Sequence, residues 1–252
     1  MEYYNIKGIE VPTFRTAKGN YAGKYNRMMK LIANYDKIES KMYGIAARGL
    51  QTNSLNARLA IAVLLMMNTG IRVGNEDSAE GYMTKPHPNS KEKARFTQTY
   101  GLTTLQLRHM RVRNGKVYLN FIGKKSVENS FVVGEPLSTY LIPMKDMRRA
   151  EGCFSDDTLF DITAYELTKF IKLHVGKNFS PKDFRCMMAN ITAGISLERH
   201  LVEYGDELMT KSDKRKLWKN IREDVAEQLN NTPAVCGRSY IDSNMLDYIN
   251  EL

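Results

Sequence analysis

The chain has 252 residues, 42% of them hydrophobic, so it can bury the core of one large domain or two small ones and is not a disordered tail. Thirty-seven Lys and Arg residues against 28 Asp and Glu residues give a formal net charge of +9. That charge favours a polyanionic partner and disfavours a small-molecule enzyme. The longest apolar run, residues 59–67, is too short to cross a bilayer, and the N-terminus lacks a signal-peptide core.

Three scattered cysteines, Cys153, Cys186 and Cys236, show no metal-ligand spacing and leave one thiol over in any pairing scheme. This pattern is typical of a reducing compartment, so we expect a cytoplasmic location. Each thiol is predicted to act as a small buried apolar group.

The N-terminal half reads as a short lead-in followed by helices. Residues 1–20 are predicted to be extended or a hairpin, ending at the Gly19-Asn20 turn signal, and residues 21–252 to form one domain. A second helix is predicted from the cap at Asn53 or Ser54 to Gly70, apolar on nearly all sides and therefore central to the core. Before it, apolar residues at helical spacing are Met28, Leu31, Ile32, Tyr35, Ile38 and Met42.

The middle of the chain changes to the two-residue period of a strand. Residues 116–121 alternate, the Asn114-Gly115 pair is a hairpin signal, and residues 102–107 are the expected partner strand. A third strand, residues 129–133, follows a turn that carries Lys124 and Lys125. We therefore predict an α+β fold, mostly α-helical, with a small three-stranded antiparallel sheet.

Helical patterns resume after Ile162. One amphipathic face contains Leu167 and Phe170, Ser180-Pro181 starts the next helix, and a further helix is predicted over residues 217–229. The polar segment 84–98 is predicted to be a mobile loop. Its basic residues, candidates for contact with a polyanion, are Lys85, Lys91, Lys93 and Arg95.

Tyr240 lies nine positions after Asn231, which directly precedes a Thr-Pro helix start. A protonated tyrosine hydroxyl is a poor nucleophile, so its attack on phosphorus needs positive charge around the phosphate. Arg72 and Arg185 offer planar guanidinium forks that fit two non-bridging oxygens, and Lys124 is a point charge that can also release a proton. Together these residues supply the nucleophile, the positive charge and the proton donor that phosphodiester exchange needs, without a metal or other cofactor.

The segments around these residues resemble, in the same order, the type IB DNA topoisomerases, especially their bacterial and poxviral branch, and the likeness covers roughly residues 20–252. It implies the catalytic core shared with tyrosine recombinases, double-stranded DNA as partner and a monomer. The segments that carry it are residues 69–76, 99–105, 121–125, 181–185 with Asn190 beyond, and 231–240.

The resemblance also implies residue roles. Arg72 and Arg185 correspond to the two catalytic arginines, Lys124 to the hairpin lysine and Tyr240 to the nucleophile, while Asn231 stands where poxviral members have histidine. The Asn231 amide can donate to a phosphate oxygen but carries no charge, so we expect a modest loss of transition-state stabilisation. The residues expected to contact DNA around this set are Lys125, Lys182 and Asn190.

Three other functions stay open on the sequence. A tyrosine recombinase shares the fold, but Lys182 stands where recombinases usually have histidine, and only 12 residues follow Tyr240. A DNA-binding protein without catalysis would not need Arg72, Lys124, Arg185 and Tyr240 together. A metal nuclease would use acids, but these read as helix-dipole partners (Glu76, Asp77, Glu80) or as a solvated turn (Asp156, Asp157, Asp161).

The segment before Arg72 bears on domain organisation. Related enzymes of this branch carry a separate N-terminal domain that closes over the opposite face of the duplex, whereas only 71 residues precede Arg72 here. Most of those residues show the patterns of catalytic-domain helices. We expect no clamp domain within these residues, and a separate partner chain could supply one.

Overall fold

The computed structural model describes residues 2–6, 9–13, 22–84, 93–204 and 209–252. The predicted Gly19-Asn20 turn lies outside these residues. The helices are α1 (Ala22–Ala33), α2 (Tyr35–Gly49), α3 (Leu55–Thr69), α4 (Glu76–Glu80), α5 (Ser138–Ala150), α6 (Ala164–His174), α7 (Pro181–Tyr204), α8 (Lys211–Leu229), α9 (Pro233–Ser239) and α10 (Ser243–Glu251).

Within the described residues, the strands form three antiparallel sheets. They are β1 (Glu2–Ile6) and β2 (Ile9–Thr13), β3 (Tyr82–Met83) and β4 (Phe96–Thr97), and β5 (Met110–Arg113), β6 (Lys116–Gly123) and β7 (Val127–Val133). The predicted α+β class, mostly helical with one three-stranded antiparallel sheet, is confirmed. β1 and β2 form a hairpin in the predicted lead-in.

The chain divides into two compact units. The first, here called the Tyr240 unit, contains Met1–Lys41, Met66–Gly70 and Ile171–Leu252. The second, the Lys124 unit, contains Met42–Leu65 and Ile71–Phe170.

Helix prediction succeeded where a cap and an apolar pattern coincide. α3 begins after Ser54 and its residues 59–67 are all buried, as expected for a core helix. α7 begins at Pro181 as predicted. The apolar pattern around Tyr35 belongs to two helices rather than one, because the chain turns at Asn34, whose N–H donates to the Leu31 carbonyl at 3.2 Å. α8 begins at Lys211, six residues before the predicted start, because Thr210 and Asp213 form a capping box.

The partner strand predicted over residues 102–107 is wrong. The Asn114-Gly115 turn has two residues, so it places Arg113 opposite Lys116, and the strand that pairs with β6 is β5, directly before the turn. Residues 102–104 form a 3₁₀ turn instead. Their backbone N–H groups are used elsewhere: Leu102 donates to the Arg72 carbonyl at 2.8 Å and Thr103 to the Val73 carbonyl at 2.7 Å.

The core of the Tyr240 unit joins the last four helices. Buried apolar residues of α7 and α8 pack with residues of α9 and α10, and the cluster contains Ala189, Ala193, Leu197, Leu217, Ile221, Val225, Leu229, Cys236, Ile241, Met245 and Ile249. Tyr240 is half-buried against this cluster. The short helix α9, which directly precedes the candidate nucleophile Tyr240, is therefore held by the apolar core.

The core of the Lys124 unit lies under the three-stranded sheet. Val117, Leu119 and Phe121 of β6 are buried on one face, as their alternation predicts, and α5 packs against that strand. Leu141 and Met144 of α5 are fully buried. The sheet that carries Lys124 therefore has one face against a packed core.

Candidate functional site

Tyr240 directly follows α9, at the point where that short helix ends. Thr232 caps the helix with its side-chain oxygen, which accepts from the Val235 N–H, and Pro233 stands in the first turn. The Tyr240 N–H donates to the Cys236 carbonyl at 3.0 Å. The Thr-Pro signal in the sequence thus sets the start of the helix and, seven residues later, the position of the tyrosine.

Arg185 is the buried cation beside this tyrosine. It is only 4% exposed, and its guanidinium carbon lies 5.1 Å from the centroid of the Tyr240 ring. Its two terminal nitrogens donate to the carbonyls of Gly70 at 2.6 Å and Leu229 at 2.7 Å. These carbonyls stand at the ends of α3 and α8, where helices leave acceptors unpaired and favour positive charge. The arginine therefore fixes two helix ends and the tyrosine ring together.

Three hydrogen bonds that involve the side chains of Asn190 and Tyr25 hold the backbone around Tyr240. The Asn190 amide nitrogen donates to the Tyr240 carbonyl, and its oxygen accepts from the Asp242 N–H, both at 2.8 Å. The Tyr25 hydroxyl donates to the Ile241 carbonyl at 2.6 Å. Asn190 also donates to the Cys186 carbonyl and is 5% exposed. Its amide hydrogens and oxygen are therefore all used in hydrogen bonds within the protein. This geometry favours a positioning role for Asn190 over the predicted contact with DNA.

Asn231 and Lys182 differ in their surroundings. The Asn231 side-chain oxygen accepts from the Thr232 N–H at 2.9 Å. Its amide nitrogen is enclosed and makes no hydrogen bond with the described residues. Lys182 is exposed in the first turn of α7, next to Asp183, which is buried and bonds both Ser180 and Arg27.

In the Lys124 unit, Arg72 follows α3 in a loop that packs backbone against backbone. The Leu102 N–H donates a hydrogen bond to the Arg72 carbonyl. The N–H and the hydroxyl of Thr103 both donate to the Val73 carbonyl. A Cβ on Gly101 would lie 2.5 Å from the Gly74 nitrogen and 2.7 Å from the Arg72 carbonyl oxygen. Only glycine permits this approach. The Arg72 side chain is half-buried and makes no hydrogen bond or ion pair with the described residues.

Lys124 lies in the turn between β6 and β7, as predicted. Residues 124–126 form one 3₁₀ turn, with Lys125 in the left-handed region at φ 64°. Both lysines are exposed, and neither pairs with any residue of the described ranges. A Cβ on Gly123 would lie 2.3 Å from the amide nitrogen of Asn129, which is buried and donates to the Val127 carbonyl. Asn129 therefore supports the turn from inside.

The basic segment predicted as a mobile loop is described only in part. Lys93 and Arg95 are exposed, and Thr97 belongs to the two-residue strand β4. Lys85 and Lys91 lie outside the described residues. The two exposed cations leave the predicted contact surface open to a polyanion.

The acidic residues that the sequence singled out in the Lys124 unit differ in their surroundings, and Glu80 is the exposed last residue of α4, where it does not favour the helix dipole as predicted. Glu76 and Asp77 stand in the first turn of α4, consistent with helix-dipole partners. Asp156 pairs with Arg108, and Asp161 pairs with Arg58 and Arg148, while both carboxylates stay exposed, as expected for a solvated surface. Within the described residues, no group of three or more His, Cys, Asp or Glu side chains could hold a metal ion.

His109 is a half-buried histidine beside the three-stranded sheet, and its pKa is lowered. Burial, with a smaller effect of Arg108, lowers the pKa of His109 to about 4. Its ring lies 4.4 Å from that of Tyr100, and its Nδ1 accepts from the Gln106 N–H at 3.0 Å. The neutral ring is therefore the form that this packing requires.

Comparison with known proteins gives the family. The family described as eukaryotic DNA topoisomerase I, catalytic core, matches residues 15–252, and the chain belongs to this type IB topoisomerase catalytic-core family. A similar protein is DNA topoisomerase 1B of Acanthamoeba polyphaga mimivirus, 24% identical over 244 residues, with 89% of this chain and 63% of the relative covered. The chain thus spans less than two thirds of that relative. No helix of the described residues is long and apolar enough for a membrane span.

Proposed function

We propose that this chain is a type IB DNA topoisomerase that relaxes supercoiled double-stranded DNA by cutting and resealing one strand, without ATP or a metal ion. The observation that carries the proposal is the Arg185 guanidinium, which lies 5.1 Å from the Tyr240 ring in a chain of the topoisomerase family. A buried arginine beside a tyrosine provides the positive charge that attack on a phosphodiester needs.

The proposed reaction is an exchange of phosphate esters. The Tyr240 oxygen attacks phosphorus and loses its proton to solvent, while the bond from phosphorus to the 5′-oxygen breaks. The departing 5′-oxygen receives a proton from Lys124, and a 3′-phosphotyrosyl bond joins protein and DNA. The reverse attack by the 5′-hydroxyl reseals the strand. Because one phosphate ester replaces another, closure requires no external energy source.

Each other residue has a defined task in this proposal. Arg72 and Arg185 bind the non-bridging oxygens as charge builds on the pentacoordinate phosphorus. Asn231 adds a neutral donor, and its enclosed amide nitrogen, without a hydrogen-bond partner among the described residues, supports that role. Lys124 has an exposed ammonium at a turn tip, which supports its role as the acid.

Contact with the duplex is proposed for the exposed basic residues. Lys125 and Lys182 flank the candidate catalytic residues in sequence, and Lys93 and Arg95 lie on the basic segment. Lys85 and Lys91, outside the described residues, are proposed to act with them. Such contacts release counterions, so affinity should fall steeply with salt.

A plasmid assay tests the proposed function. Supercoiled plasmid is incubated with the chain in chelator, the reaction is stopped with denaturant, and protein-linked strands are sought. We expect relaxation and a denaturant-stable adduct. Tyr240→Phe should bind DNA normally yet form no adduct, while Tyr248→Phe, a second half-buried tyrosine of the same core, should retain it. A strict requirement for a divalent ion would overturn the proposal.

The same experiment separates the alternatives. DNA binding without any adduct from the wild-type chain would indicate a protein that has lost catalysis. An adduct that leads to strand joining between two duplexes, with no relaxation of plasmid, would indicate a recombinase.

A further inference from the structure

The Lys124 unit contains a cationic cleft to which neither the family nor the proposed reaction assigns a role. It has a volume of about 260 Å³ and lies between the edge strand β5, the C-terminal part of α5 and residues 153–155. Four of its lining residues are positively charged: Arg108, Arg111, Lys145 and Arg149. None of the described residues that line it is Asp or Glu.

Lys145 forms the floor of the cleft. Its side chain is buried at 6% exposure and donates to the Met110 carbonyl on β5. An ammonium has three donors, and this bond uses one of them. Burial, followed by the nearby charge of Arg149, lowers the pKa of Lys145, while Asp146 has a smaller opposing effect. The folded protein therefore brings this cation close to another cation at an electrostatic cost.

Arg111 and Arg149 form the walls. Both are exposed, and neither makes a hydrogen bond or an ion pair with any residue that the structure describes. Arg108 is different, because it pairs with Asp156 at 3.2 Å and donates to the Tyr100 hydroxyl at 3.0 Å. Two guanidinium groups are thus available to a ligand, and their planar forks match the oxygens of a phosphate group.

We propose that this cleft binds one phosphate group, held by Arg111 and Arg149 above the ammonium of Lys145. Its volume is below the roughly 300–1,000 Å³ of drug-sized ligand sites, which suits a single phosphate. The phosphate belongs either to a DNA backbone or to a free phosphate compound, since both present the same oxygens.

The cleft is separate from the candidate catalytic lysine of the same unit. Arg111 pairs in register with Tyr118, and Lys124 lies six residues further along β6 and its turn. At about 3.3 Å per residue, the two positions are about 20 Å apart along the strand. A phosphate in the cleft is therefore not the one at which Lys124 is proposed to act.

The test is a double variant, Arg111→Gln with Arg149→Gln. The matched control, Arg113→Gln with Lys116→Gln, removes the same charge from exposed residues that flank the Asn114-Gly115 turn outside the cleft. Lys145 is left intact because its bond to Met110 supports the fold. Two measurements are made on full-length chains: affinity for a duplex oligonucleotide as a function of salt, and melting temperature in inorganic phosphate against chloride at equal ionic strength.

If the ligand is a DNA backbone, the cleft variant should bind duplex about tenfold more weakly or worse than the control, and its salt slope should fall by about two. If the ligand is a free phosphate compound, phosphate should stabilise the wild type and the control but not the cleft variant, with DNA affinity equal in both variants. No difference between the two variants in either measurement overturns the proposal. Because Tyr240 is unchanged, adduct formation with plasmid reports independently on the proposed function.

Discussion

The amide of Asn190 provides the sharpest test of how this fold positions Tyr240. Replacement by alanine removes the bonds to the Tyr240 carbonyl and the Asp242 N–H, both 2.8 Å long. A buried polar group that loses its partner costs about 1–3 kcal/mol, so the two losses together should lower the free energy of unfolding by about 2–6 kcal/mol. The bond to Cys186 should matter less, because that carbonyl lies inside α7.

The catalytic effect should be larger than the effect on DNA binding. A misplacement of about 1 Å at a reacting group can cost about 10²-fold in rate, so we expect cleavage by Asn190→Ala to slow on that order. DNA affinity should change by no more than about twofold, because both amide hydrogens and the amide oxygen of Asn190 are already bonded to main-chain groups of the protein and leave no donor for a phosphate. Urea unfolding gives the stability, single-turnover cleavage with excess protein gives the rate, and binding is measured in a Tyr240→Phe background.

Thr192→Ala is the control for Asn190→Ala. The Thr192 hydroxyl donates to the Met188 carbonyl on the same helix at 2.9 Å, and no bond from it to residues 240–242 occurs in the described structure. It should cleave at the wild-type rate. If Asn190→Ala instead binds DNA about tenfold more weakly and cleaves normally once bound, Asn190 is the DNA contact that the sequence predicted, and the positioning argument fails.

The other predictions concern the Lys124 unit. Lys124→Ala should cleave normal DNA about 10²-fold more slowly or worse but recover on a substrate with a bridging 5′-sulfur, which leaves without protonation; equal defects on both would assign Lys124 to phosphate binding. Because the folded pKa of His109 is about 4, below its ordinary value of 6.5, the unfolded chain binds more protons between these values, and stability should fall as pH drops through this window. His109→Asn, which does not titrate, should lose less stability than the wild type when the pH of the urea unfolding experiment is lowered to about 5. The same pH dependence of stability in both proteins would contradict this. Gly101→Ala should slow cleavage by displacing the Arg72 loop, because its Cβ meets backbone at 2.5 Å from Gly74, whereas Gly115→Ala meets nothing within 4 Å and tests only the strain of a positive φ; equal cleavage by wild type and Gly101→Ala would refute that coupling.

The sequence predicted elements best where a local signal and an apolar period agree. The Asn53 and Ser54 cap with the apolar run behind it located α3, and Ser180-Pro181 located the start of α7. α5 was not predicted, because Pro143 lies inside it and interrupts the pattern that Leu141 and Met144 would otherwise show. The wrong partner strand had a different cause: Leu102, Leu105 and Leu107 are apolar because they are buried, and a buried apolar pattern alone does not distinguish a strand from a turn.

The sequence indicates the candidate reactive residues of the site, but it does not show the hydrogen bonds that hold those residues in place. Charge and nucleophile carry a sequence pattern, because the reaction needs those residue types at those places in the chain. The bonds from Arg185 to the carbonyls of Gly70 and Leu229, and from Tyr25 to that of Ile241, join residues far apart in sequence. Any residue supplies a carbonyl, so such bonds leave no residue-type signal at the accepting position. A single sequence can therefore indicate candidate reactive side chains, while the side-chain bonds to the main chain that hold them in place become visible only in the folded structure.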